Sequence, residues 1–233
     1  MCRIAKVLVE RGAVVLCCAL VATCTVVKLD KNQSAGGDEY SAWTKTGTAF
    51  QADKYVAAIW EKRVLPDFEK NALDVGTVLA ALKANRKEAI AKYGIRKETG
   101  EVVYLFKVRG EAKVVKYDNT SRNGVIRMNI LPEGSEISAT LQVGPVIVGT
   151  AIRDSLAFIR FSDIGNQLQF ADLANQLNER MLKDSVANLD LPSLAGKRIS
   201  FSGCFSLQED QDVGGIVVTP VTIERVDASG AGK

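Results

Sequence analysis

Three hydrophobic spacings follow one another along the 233-residue chain. Residues 13–22 are an unbroken apolar run. After a polar stretch the apolar positions take a helical period. Tyr55, Val56, Ile59 and Trp60 share one face, and Pro66 limits that helix. Val75, Val78, Leu79 and Leu82 repeat the pattern behind Asp74, a suitable N-cap. Asn85 and Glu88 form a capping pair for a further short helix that stops at Tyr93-Gly94. From residue 102 the period drops to two. Strands are expected at 102–108 and 112–117, joined as a hairpin through Arg109-Gly110-Glu111. Two more are expected at 125–131 and 137–143, around a Pro132-Glu133-Gly134 turn. Gly144-Pro145 interrupts, and residues 146–148 extend the strand path. Phe170, Leu173, Ala174, Leu177 and Met181 then define an amphipathic helix of about four turns. Strands at 198–205 and 216–223 close the series, with Gly214-Gly215 in the turn between them.

This order predicts an α+β fold: an OB-like antiparallel β-barrel with a helix before the last two strands, preceded by an N-terminal helical segment. The helical segment is assigned to residues 51–95, the β-rich domain to 96–226 and a disordered tail to 227–233.

Composition narrows the chemistry. The chain has no histidine. Ser-His-Asp and Cys-His nucleophile systems are excluded, as are His-ligated metal and haem sites. Acid–base work falls to Asp, Glu, Lys, Tyr or Cys. With 47% apolar residues the chain is not disordered, and a formal charge of +3 is too small to attract nucleic acid. No Gly spacing matches a phosphate loop or a dinucleotide fingerprint. No metal and no cofactor is expected. Lys107, Arg109, Lys113 and Lys116 alternate with apolar residues, which reads as a solvated sheet face.

Arg3, Lys6 and Arg11 precede the apolar run, which is shorter than the roughly 20 residues of a spanning helix. This is the layout of a secretory signal. Leu20-Val21-Ala22-Thr23-Cys24 resembles the bacterial lipobox, with Thr23 where Gly, Ala or Ser is usual. The resemblance implies cleavage before Cys24, diacylglycerol on its sulfur, and further acylation, for instance by palmitate. Residues 1–23 are then signal peptide and 24–50 a lipidated tether. About twenty flexible residues span roughly 25 Å on average. Cleavage removes Arg3, Lys6, Glu10 and Arg11, so the charge falls from +3 to +1. It also removes Cys2, Cys17 and Cys18, which leaves Cys204 as the single thiol without lipid. No intrachain disulfide can form, and Cys204 reads as a small buried hydrophobe.

Several segments together resemble one family. Cys24 opens a V-K-L-D run, Tyr55 to Trp60 and Val64-Leu65-Pro66 follow, and Gly110 to Val115 form a G-x-A-K-V-V stretch. The centre runs from Leu141-Gln142-Val143-Gly144-Pro145 through Gly149-Thr150-Ala151-Ile152-Arg153-Asp154 to Asn166-Gln167. This pattern is similar to the predicted periplasmic lipoproteins of domain-of-unknown-function family 2291. The resemblance implies a decorated OB-like barrel, a place on the periplasmic face of a bacterial membrane, and genes beside sugar ABC transporters. It implies no activity.

The central block also carries the candidate chemistry. Gly144, Pro145 and Gly149 are expected to shape tight turns. Thr150, Arg153, Asp154, Asp163, Asn166 and Gln167 follow closely. An Arg fork among carboxylates and amides suits sugar hydroxyls or a carboxylate ligand. The same residues suit an internal Arg–Asp pair and a helix N-cap at Asp163 or Asn166. The expected function is a non-enzymatic accessory to sugar uptake. Its partners would be the membrane, a sugar, and the binding protein or permease of an ABC transporter, without nucleic acid. The alternatives are an envelope interaction module without small ligand, and a hydrolase using carboxylates such as Asp154 and Asp163.

Overall fold

The computed structural model describes residues 50–97, 102–132, 137–208 and 211–226. The expected signal peptide, Cys24, the tether up to residue 49 and the tail from 227 lie outside the described residues.

The chain enters through helix α1 (Ala52–Ile59), a π turn (Trp60–Val64) and helix α2 (Leu65–Asn71). Pro66 does not end the helical path, contrary to the sequence expectation. It stands in the first turn of α2, where its missing N–H is tolerated. The π turn also keeps the buried face aligned. Val56, Trp60, Val64 and Phe68 are all buried. A spacing of four overshoots a 3.6-residue turn by about 40° each time, and a wider turn absorbs the drift. A two-residue strand β1 (Leu73–Asp74) leads into α3 (Val75–Ala84), and α4 (Arg86–Tyr93) leads into the short β2 (Ile95–Arg96). Local capping fixes both starts. Asp74 accepts from the Thr77 N–H at 2.7 Å, and Asn85 accepts from the Glu88 N–H at 3.3 Å.

Five longer strands form the sheet: β3 (Val103–Asp118), β4 (Val125–Ile130), β5 (Ser138–Gln142), β6 (Arg198–Gln208) and β7 (Val217–Val226). Pairing runs β3-β4-β5-β7-β6, and β6 pairs back to β3, which closes a ring. The strand set is not wholly antiparallel: β5 and β7 pair in parallel through Thr140↔Val217 and Leu141↔Val218. That parallel pair joins two strands separated by the long excursion through the helices.

The hairpin expected at Arg109-Gly110-Glu111 does not form. β3 runs through it unbroken, with Gly110 opposite Phe201 of β6. Gly110 marks a close approach instead: a Cβ there would stand 2.7 Å from Val75 Cγ1 at the start of α3. Nor do residues 146–148 continue a strand; they lie in the loop after β5. Lys107 corrects a third expectation. It is buried, and its ammonium pairs with Asp67 on α2, because the N-terminal helices cover the outer face of β3. Inside the ring, Phe106 and Phe205 stack with centroids 5.0 Å apart. Between β5 and β6 the chain forms α5 (Ala151–Ser155), α6 (Phe161–Ile164) and α7 (Gln167–Met181). Leu173, Leu177 and Met181 of α7 are fully buried.

Candidate functional site

The loop from β5 to α5 is held by a side chain. The amide of Gln142 accepts from the Val148 N–H at 2.9 Å and donates to Thr219 Oγ1 and to the Val148 carbonyl. Asn178 of α7 reaches the same loop, donating to the Gly149 carbonyl at 3.2 Å. Gly144 lets two backbones meet: a Cβ on it would lie 2.0 Å from Gly124 N. Pro145 follows in the same bend. Gly149 has φ +100°, a conformation that side chains disfavour.

The loop delivers Thr150, Arg153 and Asp154 to one cluster. Arg153 Nε and Nη2 both donate to Asp154 Oδ1, at 2.8 and 2.5 Å. Its Nη1 donates to the Phe170 carbonyl at 2.8 Å, and its guanidinium lies 3.7 Å over the Phe170 ring. The other oxygen of Asp154 accepts from the Thr150 hydroxyl at 2.7 Å and contacts the Lys97 ammonium at 3.0 Å. Both members of the Arg153–Asp154 pair are largely buried. The remaining residues of the sequence-derived set stand apart from this cluster. Asn166 caps α7, accepting from the Gln169 N–H at 2.9 Å. Asp163 is exposed on α6 and accepts from the Ser162 hydroxyl. Gln167 is exposed in the first turn of α7.

Beside the cluster is a cavity of about 400 Å³. Asp154 forms part of its wall, together with Arg96, Lys97, Arg160, Phe161 and Phe170. Arg96 and Arg160 are exposed, and their side chains have no partner among the described residues. A larger groove of about 630 Å³ lies elsewhere, between α2 and the ring. Most of its polar groups are already engaged. Asp74 caps α3, Arg109 donates to the Glu69 carbonyl, Glu111 pairs with Arg198, and the Ser202 and Thr222 hydroxyls bond each other. The smaller cavity, with free cations, is therefore the stronger candidate. Sequence reading missed Arg96, Lys97 and Arg160 because a lone cation in a sequence looks like any surface residue. Only the fold brings the segment after α4 against α5 and α6.

Two other chemistries find no support. Cys204 is buried, and burial pushes its thiol up to about 12, so it is no nucleophile at neutral pH. Among the described residues no group of His, Cys, Asp or Glu is placed to hold a metal ion. No described helix is long and apolar enough to cross a membrane.

A ring of five strands, with helices between the third and fourth, defines the class as an OB fold elaborated by helices. A solved OB-fold protein from Thermotoga maritima has the same fold, with a TM-score of 0.63 and 19% identity over 77% of this chain and 100% of its own. A family model described as "Predicted periplasmic lipoprotein (DUF2291)" matches residues 14–224. The chain belongs to that family and is a lipid-anchored protein of the periplasmic face of a bacterial membrane. No curated protein matches it significantly.

Proposed function

We propose that the chain is a non-catalytic binding module that assists a sugar ABC uptake system. It does so by holding a sugar, or by meeting the transporter's binding protein or permease, at the cavity beside Asp154. One observation supports this best: the cavity separates structural charges from available ones. Arg153 and Asp154 are occupied with each other, with Thr150, with Lys97 and with Phe170, whereas Arg96 and Arg160 are uncommitted. A carboxylate with both oxygens engaged is poorly suited to serve as nucleophile or general acid, which speaks against the hydrolase reading. Fixed walls with free polar groups are what a binding pocket requires.

The test is a thermal-shift screen of monosaccharides on the mature protein, run beside affinity purification from detergent-solubilised membranes. A bound sugar raises the melting temperature by mass action. A sugar-dependent shift, or recovery of sugar-transporter subunits, supports the proposal. Neither result would leave an envelope module without small ligand. Turnover of chromogenic glycosides, abolished in Asp154→Asn, would restore the hydrolase.

A further inference from the structure

We infer that the ligand of this cavity is an anionic monosaccharide, its carboxylate or phosphate taken by Arg96 and Arg160 and its ring set against Phe161. This rests on the binding reading above and adds the ligand's charge.

The charge of the wall carries the inference. Among the described lining residues, three cations (Arg96, Lys97 and Arg160) face one carboxylate, Asp154. That carboxylate is already balanced from behind by Arg153. The described wall is therefore cationic, although the processed chain as a whole carries only about +1. A neutral sugar has no use for such a surplus, and an anion does. Guanidinium forks present paired N–H groups that match a carboxylate or a phosphate. Lys97 adds to them. Its ammonium has three protons and one carboxylate contact, at 3.0 Å to Asp154.

Size and apolar surface set the rest of the ligand. About 400 Å³ lies near the lower end for small-molecule sites and suits one sugar ring rather than a peptide or a chain of sugars. Ile95, Leu156 and Ile159 contribute apolar wall. Phe161 is 40% exposed, an unusual state for its size. It is also held in place: it meets Phe170 edge-on at 5.3 Å, and Phe170 is covered in turn by Arg153. A fixed, half-exposed ring offers a face for the C–H side of a sugar. The internal Arg153–Asp154 pair thus acquires a role as the support of Phe170, and through it of Phe161.

The experiment is calorimetric titration of the mature lipidated protein in neutral detergent. The ligands are glucuronate, galacturonate and glucose 6-phosphate, against glucose and galactose. The expected result is that an anionic sugar binds at least about tenfold more tightly than its neutral counterpart, and that added salt weakens it. The carboxylate and phosphate arms tell which anion is preferred. Arg96→Gln and Arg160→Gln should each weaken it about tenfold, the usual size of a lost charge-assisted hydrogen bond, with the melting temperature unchanged because both side chains are exposed. Equal binding of neutral sugars, or indifference to both arginine substitutions, overturns the anionic assignment and leaves the sugar-binding reading standing. Absence of binding by every sugar overturns both, and directs the search to a protein partner.

Discussion

Arg153 and Asp154, neighbours in the chain, are also neighbours in space: two guanidinium N–H groups of the first converge on a single carboxylate oxygen of the second. The remaining nitrogen of that guanidinium holds the Phe170 carbonyl, so the pair ties α5 to α7. Breaking it leaves a largely buried charge poorly compensated. Arg153→Met should destabilise the domain by about 3 kcal/mol, within the range for disrupted buried pairs. Arg153→Lys keeps the charge but loses the fork and the stacking over Phe170, and should recover only part of that loss. Denaturant unfolding followed by circular dichroism measures both. Unchanged stability with altered ligand binding would instead make Arg153 a direct ligand contact.

The second ion pair predicts an asymmetry. Lys107 is 5% exposed at its side chain and pairs with Asp67 on α2, beside the Phe68 ring. Asp67→Ala strands an ammonium under the helices and should cost about 3 kcal/mol. The double substitution Lys107→Met with Asp67→Leu removes both charges and should unfold within about 1–2 kcal/mol of the native protein, since desolvation offsets most of a buried pair's attraction. A double variant no better than Asp67→Ala would show that the pair supplies more than charge compensation. Unfolding midpoints of the three proteins decide it.

These two pairs show where sequence patterning stops being informative. The α7 helix was legible because five apolar positions fall on one face, and the caps Asp74 and Asn85 were legible because each acts within three residues, whereas the sequence left Asp163 and Asn166 both open as the cap that Asn166 supplies. Lys107 was misread because alternation along β3 reports one solvated face only where nothing covers it, and the cover comes from α2. Gly110 was misread for a related reason. A glycine between two apolar runs has the same local signature whether it turns the chain or admits a neighbour. Here Val75 of α3 decided the outcome. In the site, the polar cluster around Arg153 stood out in the sequence, but Arg96 and Lys97 reach it from a segment distant in the chain.

Gly110 carries its own prediction. A methyl group at this position would meet Val75 Cγ1 at 2.7 Å, and Val75 is fully buried and stiff at χ1. Gly110→Ala should therefore destabilise by about 1–3 kcal/mol, the range of overpacking, in spite of alanine's lower chain entropy. Adding Val75→Ala opens space for the new methyl. In a double-mutant cycle the pair should cost less than the sum of the two single changes. A hairpin turn at Gly110 would give no such coupling, so strict additivity would count against the continuous strand.

Cys204 links burial to pH. Its thiol ordinarily ionises near 9.0, and burial on the helix-covered face of β6, beside Ser155, raises this to about 12. Below pH 9 the thiol is protonated in both folded and unfolded chains and contributes no pH dependence. Between about 9 and 12 the unfolded chain releases the proton while the folded chain keeps it. The unfolded state then binds fewer protons, and stability falls as pH rises. The slope approaches about 1.4 kcal/mol per pH unit well inside that window. The informative quantity is the difference from Cys204→Ala, in which contributions from other groups cancel. At pH 7 the alanine variant should be less stable by about 1 kcal/mol, from the small cavity it leaves. That gap should narrow from pH 9 and reverse by about pH 10.5, measured by guanidinium unfolding at each pH. A thiol reagent should give the same answer kinetically, modifying Cys204 only as fast as the domain opens. A gap that stays constant with pH, or rapid labelling of the native protein, would mean that the β6 strand does not enclose this sulfur.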